Sequence, residues 1–314
     1  MPLLKVSGIN VGIEEDPHPL LRDVGFTVDG GEIVGLVGES GSGKTMASLA
    51  LMGLLPAGVE LRDGSIRLED RELIDENLRV HRTARDFTMI FQHPSSALNP
   101  TMRVGRQIAR VLSVVQNVGR RAAAKQAVDM LGDVGIAGAD KVARSYPHQL
   151  SGGMCQRVMI AMAFACRSKL LIADEPTTAL DVTIQAQIFD LIKQLSRETG
   201  SGVLFITHDL GAVAELCDRT VVLFGGQVME SAPTPRLFAA PEHPYTQYLF
   251  EAVERSVDPR SPEIGADHTL SGCRFMHRCP QRFEACDRIP PMLDLGDGRS
   301  ASCFLHSEEN RVAS

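Results

Sequence analysis

One eight-residue stretch, residues 38–45, constrains the fold of this chain more than any other. It reads GESGSGKT and fits the pattern G-x-x-x-x-G-K-[ST]. An apolar run typical of a strand precedes it at residues 32–37, and a run typical of a helix follows it at residues 46–52. This order of strand, glycine loop and helix predicts a phosphate-binding loop rather than an ordinary glycine-rich turn.

The residue types in the loop explain how it would bind phosphate. Gly38, Gly41 and Gly43 allow the sharp turns that point successive backbone N–H groups at phosphate oxygens. The helix that follows adds the positive end of its dipole. The Lys44 ammonium group can reach the β- and γ-phosphates of a nucleotide, and the Thr45 hydroxyl can bind Mg²⁺.

The composition argues against several classes of protein. The 314 residues carry a net charge of −7 and no Trp, which argues against a basic or base-stacking surface for nucleic acid. No apolar run approaches the ~20 residues that span a bilayer, and the N-terminus lacks the features of a signal peptide. We therefore expect a cytosolic protein with one large α/β domain and an extension, or with two domains.

Short apolar runs alternate with helical patterns along the chain, which predicts a mostly parallel sheet flanked by helices. Residues 75–86 have the composition of a polar helix, and residues 93–165 that of a helical insert. Periodicity fades toward the C-terminus, so we expect a main domain at 1–235 and an appended module at 236–314.

Polar residues follow three of the predicted strands, at the sheet edge where ligands of such folds bind. Asp174 can hold Mg²⁺ and Glu175 can polarise an attacking water, although such a pair can also cap the next helix. Gln92 can contact Mg²⁺ or the water, although a Gln without the other motifs around it would not indicate a site. His208 can donate to a γ-phosphate oxygen, or be a helix cap or a core residue. The neighbouring phosphate loop favours the catalytic interpretation of all four.

Residues 150–156, which read LSGGMCQ, form a second helix start suited to an anion. Ser151 offers a hydroxyl, and Gly152 and Gly153 offer backbone N–H groups that can be approached closely. Two phosphate-binding elements separated by a helical insert suggest that they meet across a dimer.

The motifs GESGSGKT, LSGGMCQR, LLIADEPTTALD and ITHD, together with Phe91-Gln92, resemble those of an ATP-binding subunit of an ABC transporter. The resemblance spans residues 33–209 and implies an α/β P-loop NTPase fold of ABC type. This fold has a RecA-like parallel sheet, an antiparallel β subdomain and a helical insert, here followed by a small Cys-rich C-terminal extension. It also implies that two such domains enclose two ATP molecules.

The resemblance implies a role for each motif residue. Glu175 is the general base, His208 contacts the γ-phosphate, and Gln92 senses Mg²⁺ and couples to the membrane subunit. Thr45, Gln92 and Asp174 serve Mg²⁺, and Asp181 lies in the loop that links the two ATP sites. The implied ATP-binding residues are Gly38, Glu39, Ser40, Gly41, Ser42, Gly43, Lys44 and Thr45, with Ser151, Gly152 and Gly153 completing the partner domain's site.

A closer resemblance, to D-type ATP-binding subunits of oligopeptide, dipeptide or nickel importers, rests on residues 89–100, 157–163, 183–187 and 243–246 and on the C-terminal cysteines. One departure concerns adenine. The family stacks this base on an aromatic residue near the end of the first strand, and this chain has Ile13 there.

Four of the seven cysteines crowd into the C-terminal tail, which in a reducing cytosol suggests metal rather than disulfides. They are Cys273, Cys279, Cys286 and Cys303. Their spacing is not that of a zinc ribbon. The D-type resemblance implies a 4Fe–4S cluster, whose negative charge the interleaved arginines, among them Arg278 and Arg282, would offset. Zinc and metal-free thiols are the alternatives.

We therefore expect an ATPase of the translocase class that powers import of peptides or related small solutes from the cytoplasmic face of the cell inner membrane. The expected partners are a second ATPase subunit, two transmembrane permease subunits and an extracytoplasmic solute-binding protein, with no nucleic acid. The ATPase partner can be a second copy, although the D-type resemblance favours a non-identical paralogue. Metal chelates and opine-like compounds remain possible solutes beside peptides.

The alternative function is that of a soluble ABC ATPase in DNA repair or translation. Such proteins usually carry a second cassette, a coiled-coil insertion or a zinc hook, none of which this sequence shows. A P-loop kinase or GTPase would leave LSGGMCQR unexplained.

Overall fold

A computed structural model describes residues 1–83, 85–92, 97–177, 182–254 and 271–307 of the chain. Contacts between residues divide the chain into two units. Unit 1 consists of residues 1–81 and 205–314, and unit 2 consists of residues 82–204.

The elements follow one another along the chain in this order. Unit 1 begins with β1 (Leu4–Ile13), β2 (Pro19–Val28), β3 (Ile33–Val37), α1 (Lys44–Met52), β4 (Val59–Leu68) and β5 (Arg71–Glu72). Unit 2 contains β6 (Phe87–Ile90), α2 (Val104–Val115), α3 (Arg120–Asp133), α4 (Ala139–Ala143), a 3₁₀ turn (Pro147–Gln149), α5 (Gly152–Cys166), β7 (Leu170–Asp174) and α6 (Val182–Thr199). β8 (Gly202–Thr207) spans the division in the chain. Unit 1 then continues with α7 (Leu210–Leu216), β9 (Arg219–Phe224), β10 (Gln227–Pro233), α8 (Thr234–Ala239), α9 (Pro244–Glu254), β11 (Leu293–Gly296) and β12 (Arg299–Ala301), and has 3₁₀ turns at Glu284–Asp287 and Phe304–His306.

Two sets of strands build unit 1. One is an antiparallel sheet in the order β2-β1-β4-β5, in which Leu4 and Val6 alternate with more exposed neighbours, as expected for a half-buried strand. In the other set, β3 runs parallel to β9, and β9 pairs with β10 in the antiparallel direction. β10 in turn pairs with β12, and β12 with β11. The sheet is therefore mixed rather than mostly parallel.

The core strand of unit 1 leads directly into the phosphate loop. All five residues of β3 are buried, which fits the continuous apolar run in the sequence and a strand covered on both faces. α1 begins at Lys44, immediately after the last glycine of the loop. The predicted order of strand, loop and helix is present, and it places the loop at the carboxyl end of β3.

Unit 2 combines a parallel strand pair with packed helices. β6 pairs with β7 in the parallel direction, with Phe87 opposite Leu170 and Ile90 opposite Ala173. α2 packs against α3 and α5, and its buried face includes Ile108 and Leu112. These helices lie within the region where the sequence predicts a helical insert.

The predicted polar helix at residues 75–86 is wrong for the residues described. The Asp75 carboxylate accepts hydrogen bonds from the backbone N–H groups of Asn77 and Arg79, each at 2.9 Å, and folds the segment into a turn. Leu78 has a left-handed φ of 57°, and Ile74 forms an antiparallel bridge with Val80. An Asp side chain that bonds nearby backbone groups competes with helix formation, which explains the error.

By their contacts, the described residues after 236 belong to unit 1. In register, Glu230 of β10 lies opposite Ala301 of β12. The boundary between a domain and an extension at residue 236 stays a prediction. Among the described residues, no helix combines the length and the apolar character needed to cross a membrane.

Candidate active site

Backbone geometry that only glycine tolerates shapes the loop at residues 38–45. Gly38 has a φ of 154°, and a Cβ there would lie 2.1 Å from the carbonyl oxygen of Leu223. Gly43 has a φ of 103°, and a Cβ there would lie 2.8 Å from the Leu21 side chain. Any side chain at Gly38 would collide with the backbone of β9, so this glycine is required by packing as well as by conformation.

Lys44 lies inside the loop and is only 6% exposed. Its Nζ donates to the carbonyl oxygens of Gly38 and Glu39, at 2.8 and 2.9 Å, and lies 3.4 Å from the Ser42 hydroxyl. The loop thus wraps around one ammonium group. The first turn of α1 holds no acidic residue, and Thr45 is exposed in that turn, so the positive end of the helix dipole is not offset there.

His208 directly follows β8 and is exposed. The next residue, Asp209, is the N-cap of α7, and its carboxylate accepts from the N–H groups of Gly211 and Ala212, at 2.8 and 3.2 Å. The alternatives in which His208 caps the helix or fills the core are therefore wrong. Its proposed contact with a γ-phosphate stays a prediction.

Two predicted catalytic side chains meet in unit 2. The Gln92 Nε2 donates to Glu175 Oε2 at 2.8 Å, although 83 positions separate the two residues. Asp174, the last residue of β7, is 3% exposed. Glu175 adopts a left-handed φ of 47°, a conformation that costs a non-glycine residue free energy and is often found at active sites.

Ser151 is the N-cap of α5, so a helix begins where the sequence predicts one. Its Oγ accepts a hydrogen bond from the Met154 N–H at 3.3 Å. Ser151 and Gly152 are exposed, and a Cβ at Gly152 would meet nothing within 4 Å. The start of α5 is thus open to an external group. The Gln156 side chain donates to the carbonyl of Pro176, which links α5 to the segment after Glu175.

The predicted residues are divided between the two units. Unit 1 holds the whole phosphate loop and His208, and unit 2 holds Gln92, Asp174, Glu175 and the start of α5. Asp181 lies outside the described residues. Ile13, at the position expected for an adenine-stacking aromatic residue, is 43% exposed, and the Arg62 guanidinium donates to its carbonyl at 2.6 Å.

Comparison with known proteins identifies the family to which the chain belongs. Residues 21–178 match the family described as ABC transporter. The chain belongs to the ABC transporter family. Residues 229–286 of this ABC transporter chain also match the family described as oligopeptide/dipeptide transporter, C-terminal region.

Individual relatives agree with this family. Oligopeptide transport ATP-binding protein AppD of Bacillus subtilis (strain 168) is 44% identical over 307 residues, which cover 94% of each chain. Oligopeptide transport ATP-binding protein OppD of Salmonella typhimurium is 44% identical over 299 residues, covering 92% of this chain and 89% of OppD. A solved structure, described as an ATP binding subunit of an ABC transporter, superposes with a TM-score of 0.64 at 26% identity and covers 80% of this chain and 99% of that chain.

These comparisons confirm the resemblance drawn from the motifs. The P-loop fold with a mixed sheet is that of ABC ATPases, and the chain is an ATP-hydrolysing transporter subunit. The roles of the individual site residues rest on the motif resemblance and on the geometry above, and they stay predictions.

The four tail cysteines share one small cavity. Cys273, Cys279, Cys286 and Cys303 line it together with apolar side chains. Burial raises the pKa of Cys273 to about 12 and that of Cys303 to about 11, and the neighbouring thiols add to the effect. Among the described residues, however, no group of three or more His, Cys, Asp or Glu side chains could hold a metal ion as arranged. The predicted 4Fe–4S cluster therefore gains no support from this arrangement.

Sequence reasoning missed one contact of the phosphate loop. It predicted that Arg278 offsets the negative charge of a 4Fe–4S cluster. In the structure, Arg278 pairs with Glu39 of the loop, and both N–O distances are 2.8 Å. Tyr245 also contacts the loop, because its hydroxyl oxygen accepts from the Glu39 N–H at 3.0 Å. No spacing rule relates positions 245 and 278 to position 39, so the fold alone reveals this contact.

Proposed function

We propose that this chain hydrolyses ATP to drive uptake of peptides or related small solutes across the cytoplasmic membrane. The observation that carries the proposal is the presence of two matches on one chain, to ABC transporter at 21–178 and to the oligopeptide/dipeptide transporter C-terminal region at 229–286. Relatives that cover nearly the whole chain are named for oligopeptide and dipeptide transport. A soluble ABC ATPase is not favoured, since its function would leave the transporter C-terminal region unexplained.

Unit 1 contributes the groups that bind the triphosphate. The backbone N–H groups of the loop at residues 38–45, with the dipole of α1, receive phosphate oxygens. Lys44 exchanges its carbonyl partners at Gly38 and Glu39 for β- and γ-phosphate oxygens. His208, exposed at the end of β8, donates to the γ-phosphate.

Mg²⁺ would supply charge neutralisation at the β- and γ-phosphates. The residues present fit such an ion by their chemistry, because Mg²⁺ prefers oxygen ligands and often keeps several waters. We assign the Thr45 hydroxyl, the Gln92 side chain and the buried Asp174 carboxylate to it.

Unit 2 contributes the group that activates water. Glu175 accepts a proton from the attacking water as general base, and the hydrogen bond from Gln92 holds its carboxylate in one orientation. Gln92 lies two residues after the end of β6, and Glu175 directly follows β7. A change at the end of either strand would therefore reach the base directly.

The start of α5 serves a second ATPase domain. Ser151, Gly152 and Gly153 present a hydroxyl and open backbone N–H groups, which suit the γ-phosphate held by a partner. ATP binding would then close a dimer, and hydrolysis would reopen it. We propose a non-identical ATPase paralogue as this partner.

The cysteine tail is proposed to take up a 4Fe–4S cluster, with zinc as the alternative. Four soft thiols on one cavity match the donor set of such clusters, and the Arg22 guanidinium interacts electrostatically with Cys273. In a cluster each thiolate binds a different iron, so the sulfurs need not converge on one point as they do around a single ion. Binding would still require the thiols to lose their protons and the cavity to adjust.

The proposed transport function implies further partner proteins. Two transmembrane permease subunits and an extracytoplasmic solute-binding protein would complete the importer, and this chain would lie peripherally on the cytoplasmic face of the cell inner membrane. Selectivity for the solute would reside in those other chains.

Isolation of the tagged chain from native membranes tests the proposal. We expect it to co-purify with a second ATPase chain and two membrane-spanning chains, and we expect ATP hydrolysis to rise when a peptide-loaded binding protein is added. Purification with ribosomes or DNA, and without membrane-spanning chains, would favour the soluble ATPase.

A further inference from the structure

The C-terminal segment of unit 1 reaches back to the phosphate loop through one ion pair. Arg278 Nη1 and Nη2 each lie 2.8 Å from a different carboxylate oxygen of Glu39, so the pair is bidentate. The Arg278 and Glu39 side chains are 18% and 14% exposed. A bidentate pair that is largely shielded from water is stronger and less screened than an exposed one.

Aromatic rings fix the guanidinium in place. Its central carbon lies 4.8 Å from the centre of the Tyr248 ring, 5.4 Å from that of Phe224 and 5.7 Å from that of Phe275. Cation–π contacts of this kind hold an arginine in one orientation. A guanidinium keeps its charge at any ordinary pH, so the pair with Glu39 retains both charges.

A second contact fixes the backbone of the same loop residue. Tyr245 is fully buried, and its hydroxyl oxygen accepts from the Glu39 N–H at 3.0 Å. Side chain and backbone of Glu39 are thus both held by residues outside the loop. Glu39 also offers its carbonyl to Lys44 at 2.9 Å, so the position of Glu39 affects the ammonium group that is assigned to phosphate.

Because Glu39 is negatively charged, its contact with Arg278 affects how tightly the loop can bind a nucleotide. A carboxylate within a triphosphate-binding loop repels the ligand unless a cation neutralises it, and like charges at short range weaken binding strongly. Arg278 supplies that cation from a segment 239 positions away in the chain.

We propose that Arg278 is a positioning residue for ATP, which neutralises Glu39 and, with Tyr245, holds the phosphate loop in its binding conformation. The inference rests on the proposed nucleotide site. It assigns the C-terminal segment a part in nucleotide affinity.

The test measures binding of the fluorescent nucleotide mant-ATP with Mg²⁺ to full-length chains. The variants are Arg278→Met, Glu39→Gln, the double variant of both, and Lys44→Ala as a reference for the site itself. The matched control is Arg282→Met, since Arg282 lies in the same segment but is exposed and pairs with Asp287 instead.

We expect Arg278→Met to raise the Kd about tenfold or more at low salt, with a smaller deficit at high salt because ions partly screen the Glu39 charge once its partner is removed. The double variant should bind at least about threefold more tightly than Arg278→Met, since it lacks the uncompensated carboxylate. Glu39→Gln alone should also bind more tightly than Arg278→Met, because it keeps the guanidinium and loses the carboxylate. Arg282→Met should leave the Kd unchanged.

Two results would overturn the inference while leaving the nucleotide site intact. One is wild-type affinity in Arg278→Met. The other is a double variant that binds as weakly as Arg278→Met, because a loss caused only by a disrupted C-terminal segment cannot be rescued at position 39. Undiminished binding by Lys44→Ala would instead refute the nucleotide site, and the inference with it.

Discussion

The side-chain amide of Gln92 holds the Glu175 carboxylate through a hydrogen bond of 2.8 Å. Gln92 follows a strand that pairs in parallel with the strand preceding Glu175, so the contact joins two neighbouring strand ends. One of these side chains is assigned to water activation and the other to sensing Mg²⁺ and the membrane subunit. On this assignment, the hydrogen bond would connect the two functions directly.

Loss of this hydrogen bond should slow hydrolysis. In Gln92→Ala the Glu175 carboxylate loses its orienting partner and Mg²⁺ loses one of the side chains assigned to it, so we expect kcat for ATP to fall about tenfold and KM to rise. Steady-state ATPase assays on the assembled transporter measure both constants. An unchanged kcat would show that Gln92 does not position the base.

Gly38 should tolerate no side chain. Gly38→Ala places a methyl group against the Leu223 carbonyl, so we expect it to lower the free energy of unfolding by about 2–4 kcal/mol and to abolish ATP binding. Gly132→Ala is the control. It lies in α3 with nothing within 4 Å of the added Cβ, and it should stabilise the chain by up to about 1 kcal/mol. Equal effects of the two substitutions in denaturant unfolding would contradict the packing argument.

Gln107 should stabilise the segment that follows the Gln92 region. It is 6% exposed, accepts from the Asn99 N–H at 3.0 Å, and donates to the carbonyls of Asn99 and Met102, at 3.0 and 2.8 Å. Gln107→Ala leaves these groups without their partner, so we expect a loss of about 2 kcal/mol. The exposed Gln126 on α3 provides the control, and Gln126→Ala should change stability by less than about 0.5 kcal/mol. Comparable losses for both variants, measured by denaturant unfolding, would argue against the network at Gln107.

The cysteine tail should bind iron and sulfide when the chain is purified without oxygen. We expect visible absorbance and about four irons with about four acid-labile sulfides per chain. Cys286→Ser should lose both, whereas Cys155→Ser, which alters a buried cysteine of α5, should keep them. A colourless protein with stoichiometric zinc would select the zinc alternative, and a metal-free protein would leave the cavity as a packed cluster of thiols.

The sequence predicted the parts of the fold that depend on local pattern. The strand, loop and helix around Lys44 and the start of a helix at Ser151 were predictable, because each follows from the glycine and apolar pattern of its own segment. The turn at Asp75 was missed, since one side chain that bonds two backbone N–H groups outweighs the helical composition of its neighbours.

Long-range contacts were the other limit. The motifs suggested that Gln92 and Glu175 serve the same reaction, and the pairing of β6 with β7 shows why they meet. Nothing in the spacing of Glu39, Tyr245 and Arg278 announces their contact, because it depends on how the C-terminal segment packs within unit 1.

Transport by the reconstituted importer tests the central claim most directly. Proteoliposomes would carry the complex in their membrane and enclose ATP. The binding protein and a labelled peptide would be added outside, and uptake by the wild type would be compared with uptake by Glu175→Gln. We predict ATP-dependent uptake by the wild type. The variant should still bind mant-ATP, but its hydrolysis should fall at least about 100-fold and its uptake should fall to the level without ATP. Full uptake by Glu175→Gln, or wild-type hydrolysis that never moves peptide, would contradict the account.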